Sequence, residues 1–246
     1  MVPALLIIFL LPPAPAAAAE LRELREFPRD LWGGVKEEVR PEGLLTILTS
    51  GGGASIARFG GTTHFDDIRI AGTLQRHAPL GRRATNLGAV IGQPLILLPA
   101  MGAAYFAGWA ADADSTQEFG LLGFEALALA GLQTQILKLS VRRLRPDSTD
   151  LTAFPSGHTA ASFSLAAVAA SQWGWKVGVP ACLAAGFVGY TRMESNKHYL
   201  SDVLAGAGVG IVSGRALYKV RRRAHPGRYA FAPFLSPGGG GVRVFF

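Results

Sequence analysis

The chain has 246 residues, 49% of them hydrophobic, and its mean hydropathy of +0.28 is high for a soluble protein. Much of its net charge of +7 lies in two basic runs, one around Arg143 and one around Arg222. Such a local excess excludes a general nucleic-acid-binding surface, and the sequence has no helix-turn-helix, zinc-finger or aromatic RNA-binding motif.

Residues 1–19 are predicted to be a signal peptide or an N-terminal anchor. Residues 1–11 are apolar and uncharged, and a Pro-rich stretch and Ala16–Ala19 follow them. A short apolar core with a small-residue exit is typical of a secretory signal, which predicts cleavage after Ala19. A basic region before the core is missing, so an uncleaved anchor is the alternative. Both interpretations predict export.

Residues 20–84 are predicted to be an N-terminal region with an amphipathic helix and irregular segments. Charged residues are dense between positions 20 and 40, and the stretch 62–86 is mixed and polar. Residues 41–60 are largely apolar, but two charges and three consecutive glycines make them a poor membrane span. An amphipathic surface helix is indicated by the helical spacing of Leu21, Leu24, Phe27, Leu31 and Trp32.

Residues 85–223 are predicted to form an all-α helical bundle with several membrane-spanning helices. Mainly apolar runs of near-spanning length, interrupted in the first by two prolines, cover residues 87–111, 119–137, 159–175, 177–190 and 203–217. Spanning the hydrocarbon core takes about 17–20 residues, although a buried soluble bundle fits the same pattern. The tail, residues 224–246, is predicted to be irregular with a short terminal strand. Close helix packing is indicated by Gly206, Gly208, Gly210 and Gly214.

A first polar motif ends the run at 119–137. Lys138 and Arg145 are seven residues apart, so both can lie on one face of a helix that Pro146 ends. Arginine offers a fork that matches two phosphate oxygens, and lysine offers a point charge. Taken alone, the motif equally fits a solvated basic collar at a membrane edge. Arg142 and Arg143 are assigned to that collar.

Two more polar motifs follow. Pro155-Ser156-Gly157-His158 opens an Ala-rich segment, so Ser156 and Gly157 fall at a predicted helix start, where unpaired N–H groups favour an anion. His158 could donate a proton to a leaving group. Further on, His198 and Asp202 are four residues apart, and Asp202 could accept from Nδ1–H and leave Nε2 as a nucleophile. Alone, each histidine also fits a structural role.

In this order, the patterns K-x6-R-P, P-S-G-H and R-x5-H-x3-D resemble the type 2 phosphatidic acid phosphatase superfamily. The vanadium haloperoxidases and the bacterial acid phosphatases belong to the same superfamily. The resemblance covers about residues 85–220. One departure is Thr191 before Arg192, where the family usually has serine, and threonine keeps the hydroxyl.

The resemblance implies a phosphatase of the same helical fold with a phosphohistidine intermediate. His198 would attack phosphorus, Asp202 would orient it, and His158 would protonate the leaving alkoxide and then activate water. No metal or cofactor is implied, and vanadate is expected as an inhibitor, or as a cofactor only in a haloperoxidase. The phosphate oxygens would be bound by Lys138, Arg145, Ser156, the Gly157 amide and Arg192.

The implied substrate is a lipid phosphate or pyrophosphate, or a small phosphate ester, and the implied partner is the membrane. If residues 41–60 do not span, Lys219 and the arginines after it fall inside, in agreement with the positive-inside rule, and the site faces the periplasm of a bacterial-type inner membrane. If they do span, the site faces the other side. The alternative is a soluble periplasmic non-specific acid phosphatase. A haloperoxidase and a non-catalytic envelope protein are less favoured. Glu125 fits either a polar bundle interior or the surface, and Glu194 has no assigned role.

Overall fold

The computed structural model describes residues 14–41, 43, 67–224, 230–236 and 239–245. The predicted signal core at 1–11 and nearly all of the weak span at 41–60 lie outside these residues. The described residues form eight helices and a hairpin: α1 (Ala14–Glu38), α2 (Asp67–His77), α3 (Gly81–Ile91), α4 (Pro94–Ala110), α5 (Asp114–Val141), α6 (Gly157–Trp173), α7 (Trp175–Glu194), α8 (Leu200–Ala224), β1 (Ala230–Ser236) and β2 (Gly239–Phe245).

The predicted all-α bundle is confirmed, and the tail adds one antiparallel hairpin to it. In β1 and β2, Ala230 lies opposite Phe245 and Ser236 lies opposite Gly239. The tail therefore holds two strands, where the sequence indicated one.

Helix directions bring the three polar motifs to one end of the bundle. α6 packs against α5, α7 and α8. It runs parallel to α8, because Ser156 lies beside Gly206 and Ser164 lies beside Gly214. It runs antiparallel to α7, because Ala170 lies beside Gly178 near the start of α7. The ends of α5 and α7 therefore meet the starts of α6 and α8.

Glycines at four-residue spacing bring α8 against the backbone of α6. A Cβ on Gly210 would lie 2.3 Å from the carbonyl oxygen of Ala160, and one on Gly206 would lie 2.5 Å from that of Ser156. A side chain does not fit at these distances, so the predicted close packing is confirmed. The start of α8 is thereby held next to Ser156.

The core lies between α5, α6 and α8. It contains Leu122, Ala126 and Leu129 of α5 with Val168 and Leu217, all at most 2% exposed. Apolar side chains of α1 pack against this cluster, so α1 is part of the bundle.

The predicted helix is present as α1, but Trp32 does not lie on its inward face as the spacing indicated. Trp32 is 61% exposed, whereas Asp30, Glu37 and Glu38 are buried. These carboxyl groups turn inward because polar and basic groups of α5 and α8 meet them there, as the salt bridge from Arg221 to Asp30 shows.

Two described helices, α5 and α8, are long and apolar enough to cross a membrane. α3 and α4 meet at a bend of 52° and pass the same test when they are taken together. Five near-spanning runs were predicted, so the described helices support two or three of them. α6 has 17 residues and is rich in alanine, which leaves it short for a span. The composition of the bundle is that of a membrane protein.

Candidate active site

Thr152, in the loop between α5 and α6, brings the two residues of the first motif together. Lys138 Nζ donates to its carbonyl oxygen, and Arg145 Nη2 donates to its hydroxyl oxygen at 2.9 Å. The prediction that both residues share a helix face was wrong. α5 ends at Val141, because Arg142 takes a left-handed conformation with φ of +46°, and Arg145 lies in the loop. The loop replaces the helix as the element that pairs them.

The second motif begins a helix, as predicted. Ser156 is the N-cap of α6, and its hydroxyl oxygen accepts from the Thr159 hydroxyl at 2.8 Å and from the Thr159 N–H at 3.4 Å. The Ser156 N–H donates to the backbone carbonyl of Asp202 at 2.9 Å. This bond ties the start of α6 to the start of α8, so the second and third motifs form one unit.

Arg192, near the C-terminal end of α7, is a buried cation. It is 8% exposed, and its Nε has no hydrogen-bond partner among the described residues. Its backbone carbonyl accepts from the N–H groups of Lys197 and His198, which positions the turn before α8. A buried charged donor without a partner is costly, and a bound anion would remove that cost.

His198 is 2% exposed, and the structure determines its tautomer. Its Nδ1 lies 2.6 Å from the carbonyl oxygen of Ala153. A carbonyl can only accept, so Nδ1 carries the proton and Nε2 of the neutral ring keeps its lone pair. Asp202 was predicted to accept this proton, but its Oδ2 lies 3.8 Å from Nδ1. Ala153 therefore takes the place predicted for Asp202, and Asp202 acts on the ring as a nearby charge.

Both histidines are held neutral before an anion binds. Burial lowers the pKa of His198, the Asp202 carboxylate opposes this shift, and the charges of Lys138 and Arg145 add to it. Burial and the Arg192 guanidinium lower the pKa of His158, at the start of α6, to about 3. His158 also bonds the backbone of Ala89 in α3. An anion bound among these cations would raise both pKa values.

Arg143 is a residue that the sequence reasoning misplaced. Its side chain is 11% exposed, and its Nη1 lies 2.6 Å from Asp202 Oδ1, so it does not belong to a solvated collar. Its neighbour Arg142 is exposed. Nothing in the sequence distinguishes the two, because only the left-handed turn at Arg142 decides which side chain faces α8.

Glu194 and Glu125, which the sequence left without a role, both have buried positions. The Glu194 carboxylate accepts from the N–H of Leu80 at 3.1 Å and from that of Gly81 at 2.9 Å, so it caps α3. Gln75 of α2 donates to the Glu194 carbonyl at 3.0 Å. These bonds fix α2 and α3 at the site. Glu125 is fully buried in the bundle interior.

An apolar groove of about 250 Å³ begins one helical turn from the site. Ser162 lies four residues after His158, and Val188 lies four residues before Arg192, which is about 6 Å along each helix. The groove lies between the α3–α4 region, α6 and α7. It is lined by Ile91, Leu97, Phe119, Ser162, Leu165, Ala166, Ala169, Ala181, Ala184, Ala185 and Val188.

The family model of the PAP2 superfamily matches residues 120–226. All predicted site residues, from Lys138 to Asp202, lie within the matched residues, which confirms the resemblance that the three motifs indicated.

Two known proteins are similar to this chain. A lipid A 1-phosphatase of Porphyromonas gingivalis is 40% identical over 95 residues, which is 37% of this chain and 21% of that protein. The match thus spans about a fifth of that relative's length. The crystal structure of a transmembrane PAP2-type phosphatidylglycerolphosphate phosphatase from Bacillus subtilis superposes with a TM-score of 0.54 at 22% identity. It covers 79% of this chain and 98% of the other, so most of this chain shares that fold.

Proposed function

We propose that this protein hydrolyses the phosphomonoester or pyrophosphate of a lipid through a phosphohistidine intermediate. The proposal rests chiefly on the buried guanidinium of Arg192, whose Nε has no partner among the described residues. It lies at the same end of the bundle as a neutral histidine with a free Nε2. Lys138 and Arg145 act on that histidine, so a phosphate bound there would meet three cations.

In the first step, Nε2 of His198 attacks phosphorus and the bond from phosphorus to the leaving oxygen breaks. His158 donates its proton to that oxygen, and the product alcohol or phosphate leaves. The Ala153 carbonyl keeps the proton on Nδ1 of His198 throughout, so Nε2 stays available. The positive charge that develops on the ring lies 3.8 Å from Asp202 Oδ2.

In the second step, water attacks the phosphohistidine, and His158 accepts the proton that the water loses. The bond from phosphorus to Nε2 breaks, inorganic phosphate leaves, and His198 is neutral again. The pKa of His158 is about 3 without a ligand, so its acid role depends on the charge of the bound phosphate, which raises that pKa.

The apolar groove favours a lipid over a small water-soluble ester. It starts one helical turn from His158 and Arg192, and its lining is almost entirely apolar. A phosphate held by the cations would leave its hydrocarbon part next to this surface. The two similar proteins are named for lipid phosphates, which supports the same substrate class. The basic end of α8 supports an extracytoplasmic site by the positive-inside rule.

Phosphate release from a panel of lipid phosphates tests the activity. Membranes that contain the protein should release phosphate from at least one lipid, vanadate should inhibit, and His198→Ala should lose at least about 10³-fold in kcat. Normal hydrolysis by His198→Ala would refute the phosphohistidine step. Release from small esters alone, by protein recovered without detergent, would favour a soluble acid phosphatase.

The groove has its own test. Ala184→Phe fills it from an exposed position on α7, so the fold should tolerate the change. We expect a loss of about 10-fold or more in kcat/KM for a long-chain lipid phosphate and little change for a short-chain ester. The matched control is Leu183→Phe, an exposed position outside the groove. Equal losses on both esters would count against a lipid chain in the groove.

A further inference from the structure

Arg143 holds both groups that face Nδ1 of His198. Its backbone carbonyl accepts from the N–H of Ala153 at 3.0 Å, which positions the carbonyl that fixes the tautomer. Its side chain reaches the other group, Asp202, at 2.6 Å. One loop residue therefore sets the distance of the ring from a neutral acceptor and from a carboxylate.

The Arg143 guanidinium is fixed on every side. Its Nη1 also donates to Ser201 Oγ at 2.5 Å, and its Nη2 donates to Asp67 Oδ2 at 2.8 Å. Its Cζ lies 4.1 Å from the centre of the Tyr199 ring, which is a cation–π distance. A planar fork held by two carboxylates, a hydroxyl and an aromatic face has little freedom to move.

Asp67 contributes a second carboxylate from a distant part of the sequence. It is 2% exposed, and its Oδ1 accepts from the Ser201 N–H at 3.0 Å at the start of α8. Asp202 is also fully engaged, since Oδ1 accepts from Arg143 and Oδ2 accepts from the Tyr199 N–H at 2.8 Å. Arg143 thus shares its charge between two carboxylates, and Asp202 keeps part of its own charge for His198.

We propose that Asp67 and Arg143 are positioning residues that set how strongly Asp202 stabilises the positive charge on His198. The inference rests on the proposed phosphohistidine step. Asp202 Oδ2 lies 3.8 Å from Nδ1 of His198, so Asp202 acts on the ring through its charge. How much of that charge is neutralised depends on how strongly Arg143 is also bound by Asp67. Asp67, on α2, would in this way control a nucleophile that it does not touch.

The test compares Asp67→Asn and Arg143→Gln with Arg142→Gln, an exposed neighbour. Asp67→Asn should lose about 10- to 100-fold in kcat with KM within about threefold, because Asp202 is then more fully neutralised. Arg143→Gln should lose less, because Asp202 keeps its full charge, and the control should keep wild-type values. Wild-type kcat in both positioning variants would overturn the proposal.

The acid limb of the pH profile of kcat should move in opposite directions in the two positioning variants. In Asp67→Asn, Arg143 neutralises Asp202 more fully, so protonation of His198 weakens and the limb moves to lower pH. In Arg143→Gln, Asp202 keeps its full charge and the limb moves to higher pH. The charged or titratable groups that also face His198 are unchanged in both variants: Lys138, Arg145 and His158.

A merely structural role would give parallel losses with no opposite shifts, which would overturn the proposal. If Arg143→Gln does not fold, the shift in Asp67→Asn decides alone, since this change keeps the side-chain shape. If the wild-type protein hydrolyses no phosphate ester, or if His198→Ala keeps full activity, the proposed function itself is refuted. The two failures are therefore distinguishable.

Discussion

Two buried arginines, at different levels of the bundle, have opposite surroundings. Arg221 of α8 is 5% exposed, and its Nη1 lies 3.0 Å from Asp30 Oδ2 and 3.9 Å from Glu125 Oε1. Arg192 of α7 is 8% exposed, and its Nε has no hydrogen-bond partner in the described part of the chain. Both residues carry the same charge at similar burial. Their hydrogen-bond partners, and not the residue type, therefore indicate which arginine has a structural role and which has a functional one.

The comparison indicates what each arginine is for. At Arg221, the protein supplies the anions and the pair joins α1, α5 and α8. At Arg192, no described group accepts a hydrogen bond from Nε, although the Asp147 carboxylate acts on the charge from a distance, so Nε can bind a ligand. A site that binds phosphate is expected to contain buried donors that have no hydrogen-bond partner until the phosphate binds. Each substitution below tests one side of this contrast.

Arg221→Gln should have the largest effect, and the effect should be on stability. Removing one partner leaves Asp30 and Glu125 as buried carboxyl groups without their cation, which costs about 3–5 kcal/mol. Thermal or denaturant unfolding in detergent would measure this loss, with the exposed Arg215→Gln of the same helix as control. The fraction that remains folded should keep its kcat. A loss of kcat without a loss of stability would break the contrast.

Arg192→Gln should do the reverse. We expect kcat/KM for a lipid phosphate to fall by about 10²–10³-fold, since one fixed donor to the developing charge is removed. Stability should be unchanged or higher, because a buried cation whose Nε has no hydrogen-bond partner among the described residues disappears. Arg192→Lys keeps the charge but loses the fork, so it should recover part of the activity. An Arg192→Gln protein that unfolds easily would show that the guanidinium has a structural partner.

The sequence was sufficient for the helical bundle and for the order of the three motifs. Apolar runs and a Ser N-cap before an Ala-rich stretch are local signals, and each has a direct physical cause. Contacts between distant residues were not predictable in the same way. Arg143 pairs with Asp67, 76 positions away, and no local pattern distinguishes it from the exposed Arg142.

The tautomer of His198 shows the same limit. The four-residue spacing to Asp202 indicated a carboxylate partner, and it would be one if both residues lay on a regular helix. α8 begins at Leu200, so His198 lies before it, and the loop carbonyl of Ala153 reaches Nδ1 first. Spacing predicts contacts inside a helix, but at its end the tertiary structure decides.

Glu38 provides the smallest test, because it is a buried carboxyl group whose described hydrogen-bond partner is neutral. Gln133 Nε2 donates to it, and Ser213 Oγ donates to Gln133 Oε1 at 2.9 Å. Burial raises the pKa of Glu38 from 4.5 to about 7, although the neighbouring Ser213 and Gln133 side chains oppose the shift. The folded protein therefore holds this proton more tightly than the unfolded chain does.

A raised pKa of a carboxyl group gives stability that is present below the unfolded value and is lost as pH rises through the folded one. The free energy that Glu38 costs the fold should grow from almost nothing at about pH 4.5 to about 3 kcal/mol above about pH 7. Glu38→Gln should remove this part of the pH dependence, so the variant should gain stability over the wild type as pH rises. Unfolding midpoints at pH 5 and pH 8 would measure it, with the exposed Asp112→Asn as control. An unchanged difference between the two pH values would mean that Glu38, like Asp30, has a cation to balance it.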